Sequence, residues 1–339
     1  MLRMKGNKTI WFDFTNVPHV NFLLPIINHL EYTSHIYSIR DFAETKGLFE
    51  KKIGKDYFLI GSHKGQNKLM KIFGSIQRIG SLQNQIPEFD IKISVGGDAS
   101  SIVAKLRRKI SITFDDNEMA PNWRYSRFSD LAFWPEAIDA EILYKQGFRD
   151  KKLFRYSGFK EDFYLADYIP DKNFLDNLPF KNYVVLRPEN IQANYVNGSS
   201  ISIVPELLKL FNDLKVNVLF LPRYVQDKIL AGQFKNVHIP DSAINGMDAC
   251  YFSSAVFTGA GTMAREAACM GIPAFSFYSG EKLLTVDRKM VEMNWLYFSR
   301  DPKELIDKYL STKKRNPDIE RSVKVKKQVL SKLDNFLFL

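Results

Sequence analysis

The stretch Ala255-Val256-Phe257-Thr258-Gly259-Ala260-Gly261-Thr262, running on to Gly271 and Pro273, constrains the fold more than any other part of this chain. Val256, Phe257 and Thr258 suit a buried strand, Gly259-Ala260-Gly261 lets the backbone turn tightly, and Thr262 is placed to cap a helix that Gly271 and Pro273 end. A strand that feeds a helix through glycines leaves first-turn N–H groups open, and these attract an anion, most often a phosphate or pyrophosphate. Glu266 lies one turn further in, where a carboxylate accepts hydrogen bonds from a ribose diol. The segment predicts a nucleotide site. The same letters satisfy G-x-G-x-x-A through Gly259, Gly261 and Ala264, with Glu281 beyond. A dinucleotide fingerprint, however, opens its domain, and too little chain follows this one to complete a cofactor domain. A tight turn between strand and helix, without a ligand, is the plainer alternative.

A chain of 339 residues accommodates two domains, and 45% apolar with 25% charged residues describes a globular protein with a sizeable core. The N-terminus carries basic residues but only a short apolar run before Asp13, so neither a signal peptide nor a membrane span is expected and the cytoplasm is the expected location. Cys250 and Cys269 stand in apolar contexts without metal-ligand spacing and read as buried, reduced thiols. The formal charge of +10 points to an acidic partner: nucleic acid, anionic lipid or a phosphorylated substrate. Between Lys64 and Ser81, the residues Leu69, Met70, Ile72, Phe73, Ile76 and Ile79 fall near one helical face, with Lys64, Lys68, Lys71 and Arg78 around it. A core helix with a solvated basic rim is the favoured reading, and a peripheral contact with an anionic membrane on its inner face is the alternative. The basic run from Lys313 to Lys332 lacks interleaved aromatics, so it reads as a solvated helix and no specific nucleic acid is expected.

Strand-like and amphipathic segments alternate along the chain, the signature of parallel sheets wrapped by helices. A first series runs from Thr9–Phe14 to Leu131–Phe133, and a second from Tyr183–Leu186 to Ala274–Phe277. The segment 147–181, with Gly158, Pro170, Pro179 and many charges, reads as the connection. The expected domains are residues 1–157, residues 158–316, and a C-terminal helix over 317–339 that returns toward the first. Ligands of such sheets bind beyond the C-terminal strand ends, which gives importance to the loops there.

Four such loops carry candidate chemistry. Asp13-Phe14-Thr15-Asn16-Val17-Pro18-His19 offers His19 as a general base at neutral pH, or as a structural histidine. Gly96-Gly97-Asp98-Ala99-Ser100-Ser101 permits close backbone approach, with Asp98 as an acid or only a helix cap. Asp115-Asp116-Asn117-Glu118 crowds like charges after a buried strand, which raises a pKa or demands cationic neighbours, unless the turn is simply solvated. Arg187-Pro188-Glu189-Asn190, followed by Gln192 and Tyr195, places an Arg fork suited to a diphosphate at a strand end, and Arg223 in Leu221-Pro222-Arg223 can add a second. Either Arg can instead pair with a local carboxylate.

The opening IWFDFTNVPHVNFLLPIINHLE, the internal RPENIQANY, the LPR and the late TGAGTMAREAACMGIPAFSF resemble, in order and across nearly the whole chain, the DUF354 family. That family is similar to GT-B enzymes, which include MurG-type glycosyltransferases and non-hydrolysing UDP-N-acetylglucosamine 2-epimerases. The resemblance implies an α/β GT-B fold, two doubly wound Rossmann-like domains facing a central cleft that closes by interdomain rotation. It implies that Gly259, Ala260, Gly261, Thr262 and Met263 bind the diphosphate of a nucleotide sugar, with Arg187, Glu189 and Arg223 nearby, that Glu266 binds the ribose, and that Asp287 holds sugar hydroxyls. His19 falls where some of these transferases carry their base. GGDASS resembles the epimerase GD-T-T segment, making Asp98 the matching acid, and TFDDNE falls at its H-x-E-A, offering Asp116 or Glu118. The epimerase H-R-x-E-N is here Leu186-Arg187-Pro188-Glu189-Asn190; the missing His counts against epimerisation and ranks glycosyl transfer above it. The implied substrates are a nucleotide-sugar donor and a saccharide or lipid-linked acceptor, in the synthesis of cell-surface polysaccharide or glycoconjugate, with no metal and no further cofactor.

Overall fold

The computed structural model describes residues 8–42, 45–62, 68–189, 201–242 and 244–338. Expectations placed on Lys64, Asn190, Gln192 and Tyr195 lie outside these residues, and the side chains of residues 68–72 lie outside them as well. The chain divides into two compact units, one made of residues 1–167 and 320–339 and the other of residues 168–319.

The first unit alternates strand and helix throughout: β1 (Thr9–Phe14), α1 (Val17–His29), β2 (Ser34–Asp41), α2 (Thr45–Lys52), β3 (Phe58–Ser62), α3 (Lys68–Gln85), β4 (Ile91–Val95) and α4 (Asp98–Leu106). It continues with β5 (Ile110–Phe114), α5 (Trp123–Ser126), β6 (Leu131–Pro135), α6 (Ala140–Lys145), β7 (Leu153–Tyr156) and α7 (Lys160–Leu165). All its strands are parallel, in the order β3-β2-β1-β4-β5-β6-β7. The connections run outward from β1 on one side and from β4 on the other, so the order reverses between β1 and β4. A crevice opens beyond the strand ends at such a reversal.

The second unit repeats the plan with β8 (Val184–Arg187), α8 (Val204–Asp213), β9 (Val218–Phe220), α9 (Val225–Ala231), β10 (Val237–His238), α10 (Gly246–Phe252) and β11 (Ala255–Thr258). There follow α11 (Gly261–Cys269), β12 (Ala274–Ser276), α12 (Thr285–Glu292), β13 (Leu296–Phe298) and α13 (Pro302–Ser311), and the chain ends in α14 (Ile319–Phe338). Its parallel order β10-β9-β8-β11-β12-β13 reverses between β8 and β11. Strands buried on both faces need apolar residues on both, which is why β8, β9 and β11 read as continuous Val, Leu, Ala and Phe. Phe257 stacks on Phe275 across β11 and β12, with ring centroids 4.6 Å apart, and both pack with Phe211 of α8.

Several carboxylates buried in the first unit are paired with cations. Asp13, fully buried on β1, accepts from both terminal nitrogens of Arg78, at 2.6 and 3.3 Å, and from the Ser38 hydroxyl at 2.7 Å. Burial alone raises a carboxyl pKa, but the Arg78 guanidinium outweighs it and holds Asp13 below its usual range. Arg78 is therefore not part of a basic rim on α3; it turns inward with Ile79, Leu82 and Ile86, whereas Phe73 and Ile76 face solvent. Among the described side chains, the expectation of a membrane contact rests on Phe73 and Ile76 alone. No helix among the described residues is long and apolar enough to cross a membrane.

The division between units falls at 167/168 instead of 157/158, and its cause is the last helix. Asp162, fully buried on α7, accepts from Arg321 at 2.8 and 2.6 Å and from Ser322 at 3.0 Å. Val325, Val329, Leu333 and Leu337 then recur every fourth residue as a buried stripe along α14. The stretch expected as a bare connection thus holds β7 and α7, and the basic run is solvated on one face only.

Lys92 on β4 is fully buried, with its ammonium 2.8 Å from the Ser101 hydroxyl and 3.4 Å from that of Ser111. Burial pushes it from its ordinary 10.5 down to about 7. Between those values the unfolded chain binds the extra proton, so stability rises as pH climbs from about 7 toward 10.5 and is lowest below 7. Lys92→Met is expected to raise the melting midpoint by a few degrees at pH 6, at about 2–4 °C per kcal/mol, and to lose that advantage at pH 10. Melting curves at the two pH values check it; an equal shift at both rules out a neutralised lysine.

Candidate functional site

In the second unit the site is set by the reversal between β8 and β11. Arg187, the last residue of β8, lies beside Thr258, the last of β11, and Gly259 N–H donates to the Arg187 carbonyl at 3.1 Å. Gly259 is required there: a Cβ would come within 2.5 Å of the Glu189 Cα. The chain then turns through Ala260, the N-cap residue of α11, whose N–H donates to the Thr258 hydroxyl at 2.9 Å. No side chain caps α11. Thr262, expected as the cap, is its second residue and its hydroxyl accepts from Arg265 at 3.4 Å. The first turn, from Gly261 to Met263, thus presents uncapped N–H groups at the positive end of the helix dipole.

The charged side chains around that turn divide into two sets. The Arg187 guanidinium has no hydrogen bond or ion pair with any described residue, and the side chain is partly exposed. Its charge and that of the nearly buried Glu266 both act on the buried Cys250 thiol, which is pushed up by burial first and by Glu266 second. Glu266 is itself engaged, and the second set is tied up within the unit. Glu189, almost fully buried, accepts from Arg300 at 2.8 Å, Ser202 at 2.8 Å and the Ile203 N–H at 3.3 Å. Asp287 pairs with Arg265 at 2.9 Å, both buried, and Arg223 donates through Nε to the Pro188 carbonyl at 2.8 Å. Glu189, Arg223 and Asp287 are thus engaged within the unit, whereas the Arg187 guanidinium has no such partner among the described residues.

In the first unit the loops after β1, β4 and β5 gather the other candidates. Asp98 opens α4 and accepts from its neighbour Ala99 N–H at 2.9 Å, with Arg124 3.8 Å away and both side chains well exposed. The N-cap position belongs to Gly97, in the left-handed region at φ 92. Asp116 forms a buried ion pair with Lys160 at 2.7 Å. Lys160, at the start of α7, escapes a sequence reading because nothing local pairs it with a residue so far away. Glu118 is buried, and Asn117 and Tyr125 complete the turn around Asp115.

His19 lies in the first turns of α1, half-buried. Its Nδ1 accepts from the Thr15 N–H at 3.4 Å and meets the Thr15 hydroxyl at 3.3 Å. An amide N–H can only donate, so Nδ1 carries the lone pair and the proton of the neutral ring sits on Nε2. Burial and then the positive Lys160 push the imidazolium down to about 3. His19 so held presents an N–H donor, not the free lone pair that a base requires.

Two doubly wound parallel units of this kind define the GT-B class of α/β proteins. The chain belongs to the family described as a protein of unknown function, DUF354, whose profile matches residues 8–333. An uncharacterised protein of Methanocaldococcus jannaschii is 28% identical over 318 residues, covering 89% of this chain and 90% of its own. Among solved structures, a UDP-GlcNAc 2-epimerase of Methanocaldococcus jannaschii, in complex with UDP-GlcNAc and UDP, matches with TM-score 0.71 at 15% identity, over 97% of this chain and 99% of that one. The S. aureus protein MnaA, solved with UDP, matches with TM-score 0.70 at 12% identity over 97% of both chains. A glycotransferase of kitacinnamycin matches with TM-score 0.63 at 10% identity, over 98% of this chain and 100% of its own. At such identities these three likenesses speak for the fold.

The histidine geometry gives a direct test. Nitrogen-resolved NMR of the His19 ring is expected to show a neutral Nε2–H tautomer that does not titrate between pH 5 and 8. A ring that titrates near 6.5 contradicts the assignment.

Proposed function

We propose that this chain binds a nucleoside-diphosphate sugar on its second unit and transfers the sugar to a hydroxyl acceptor taken up by the first. The observation that carries this reading is the Arg187 guanidinium, uncommitted among the described residues, beside the uncapped N-terminus of α11. A planar fork of donors next to aligned N–H groups suits two linked phosphates. The same donors stabilise the charge that grows on a leaving diphosphate, an electrostatic task that needs no metal in this reading. Glu266, one turn along α11, is assigned to the ribose, with Ala260 to Met263 around the phosphates. The nucleotide of the two UDP-bound neighbours makes UDP sugars the first donors to try.

Epimerisation of a UDP sugar is the second reading, favoured by the acidic side chains Asp98, Asp115 and Asp116 at the ends of β4 and β5, which suit removal and return of a proton. Against it stands Leu186, fully buried in the core of the second unit where the resembling epimerase motif carries His.

UDP-GlcNAc is expected to raise the melting midpoint of the wild type, and Arg187→Ala to weaken its binding about 10- to 100-fold, the worth of one charge-assisted contact, at an unchanged midpoint without ligand. Incubation with UDP-GlcNAc in heavy water separates the two chemistries: transfer leaves the sugar carbons undeuterated, and epimerisation exchanges one. Unaltered affinity in the Arg187→Ala protein removes the diphosphate site from the account.

A further inference from the structure

We propose that the proton acceptor of the transfer step is Asp115, not its neighbour Asp116 and not His19. The inference rests on the reading of the chain as a glycosyl-transfer enzyme and identifies which group on the first unit does the work. Three geometries point to it. Asp116 is bound to Lys160 at 2.7 Å, with both side chains buried, so its charge is already matched. His19 directs its lone pair at Thr15.

Asp115 follows β5 directly and is held in one orientation. Its Oδ1 accepts the N–H groups of Asp116 at 2.8 Å and Asn117 at 3.1 Å, and its Oδ2 accepts the Tyr125 hydroxyl at 2.7 Å. Gly96, at φ 59 on the loop after β4, faces the same oxygen, and a Cβ there would stand 3.3 Å from Oδ2. A backbone without a side chain therefore borders the working edge of the carboxylate. The charged and titratable groups acting on it are Asp116, Lys160, Tyr125 and Tyr156. Burial first and the Asp116 charge second push Asp115 up to about 6, which matches a base acting near neutrality. Burial and the Asp115 charge together hold the Tyr125 phenol protonated, so it remains a donor.

In the step itself, an Asp115 carboxylate oxygen takes the proton of the acceptor hydroxyl. The electron pair freed on the acceptor oxygen attacks the anomeric carbon, and the bond from that carbon to the diphosphate oxygen breaks, its electrons leaving with the nucleoside diphosphate. Charge is conserved: one proton moves to Asp115 and one negative charge moves to the leaving group.

The test has two arms on the full chain. Carbon-13 NMR of aspartate-labelled protein is expected to show one carboxyl, absent in Asp115→Asn, that titrates near pH 6 and moves higher in Tyr125→Phe, which loses the hydroxyl donor. In parallel, UDP release from UDP-GlcNAc with water as acceptor is expected to fall by about 10²–10⁴-fold in Asp115→Asn, with UDP-GlcNAc affinity and melting midpoint retained. In Tyr125→Phe the acid limb of the rate is expected to shift upward in pH. An Asp115 carboxyl titrating near 4, or Asp115→Asn turning over at the wild-type rate, overturns the proposal while leaving the donor site standing. A wild type that binds UDP-GlcNAc and releases no UDP overturns the transfer reading and the proposal with it.

Discussion

Position 259 has no room for a side chain, because the Cα of Glu189 occupies the space 2.5 Å from where a Cβ would stand. That contact lets β11 end flush against β8, with the Gly259 N–H on the Arg187 carbonyl. Everything assigned to the donor side depends on it. With the two strand ends in register, Arg187 and the residues that lead into α11 fall at the same edge of the sheet. The partly exposed Arg300 pairs with the buried Glu189 at 2.8 Å, so the residue that crowds Gly259 is itself held by an ion pair.

The first unit solves a different problem with the same tools. It buries several charges, and burying them unpaired costs far more than their attraction returns. Arg78 matches Asp13, Lys160 matches Asp116, and Arg321 matches Asp162, each within 2.7 Å. Asp115 is satisfied by neutral donors instead, two amides and a phenol. A carboxylate held by dipoles keeps its orientation while keeping its appetite for a proton, and a carboxylate held by a lysine does not. Two adjacent residues with the same side chain are thereby given separate tasks.

Much of the fold was legible because its central strands are rich in Ile, Val, Phe and Trp even where Asp13, Lys92 and Ser94 interrupt them: β1, β4 and β11 are read off the letters almost to the residue. β7 was not, since Leu153-Phe154-Arg155-Tyr156 is a half-buried edge strand set among charged residues and has too little apolar contrast to stand out. The turn at Gly259 was visible in sequence, as was Arg187 at a strand end. The partners that engage Glu189, Asp287 and Asp116 were not, because Arg300, Arg265 and Lys160 are brought to them only by the tertiary fold. Helix capping misled locally: Thr262 has the right side chain for a cap, but α11 starts two residues earlier than that cap would set it, at Gly261 with Ala260 in the N-cap position. Sequence finds groups able to do chemistry, and buried pairing decides which of them are left to do it.

The central claim is that the uncapped first turn of α11 receives a diphosphate. Hydrogen exchange of the backbone amides of Gly261, Thr262 and Met263, followed with and without saturating UDP, tests it at the atoms concerned. The account predicts that UDP slows exchange at these amides. Bound UDP that leaves their exchange unchanged would contradict it and place the nucleotide elsewhere on the fold.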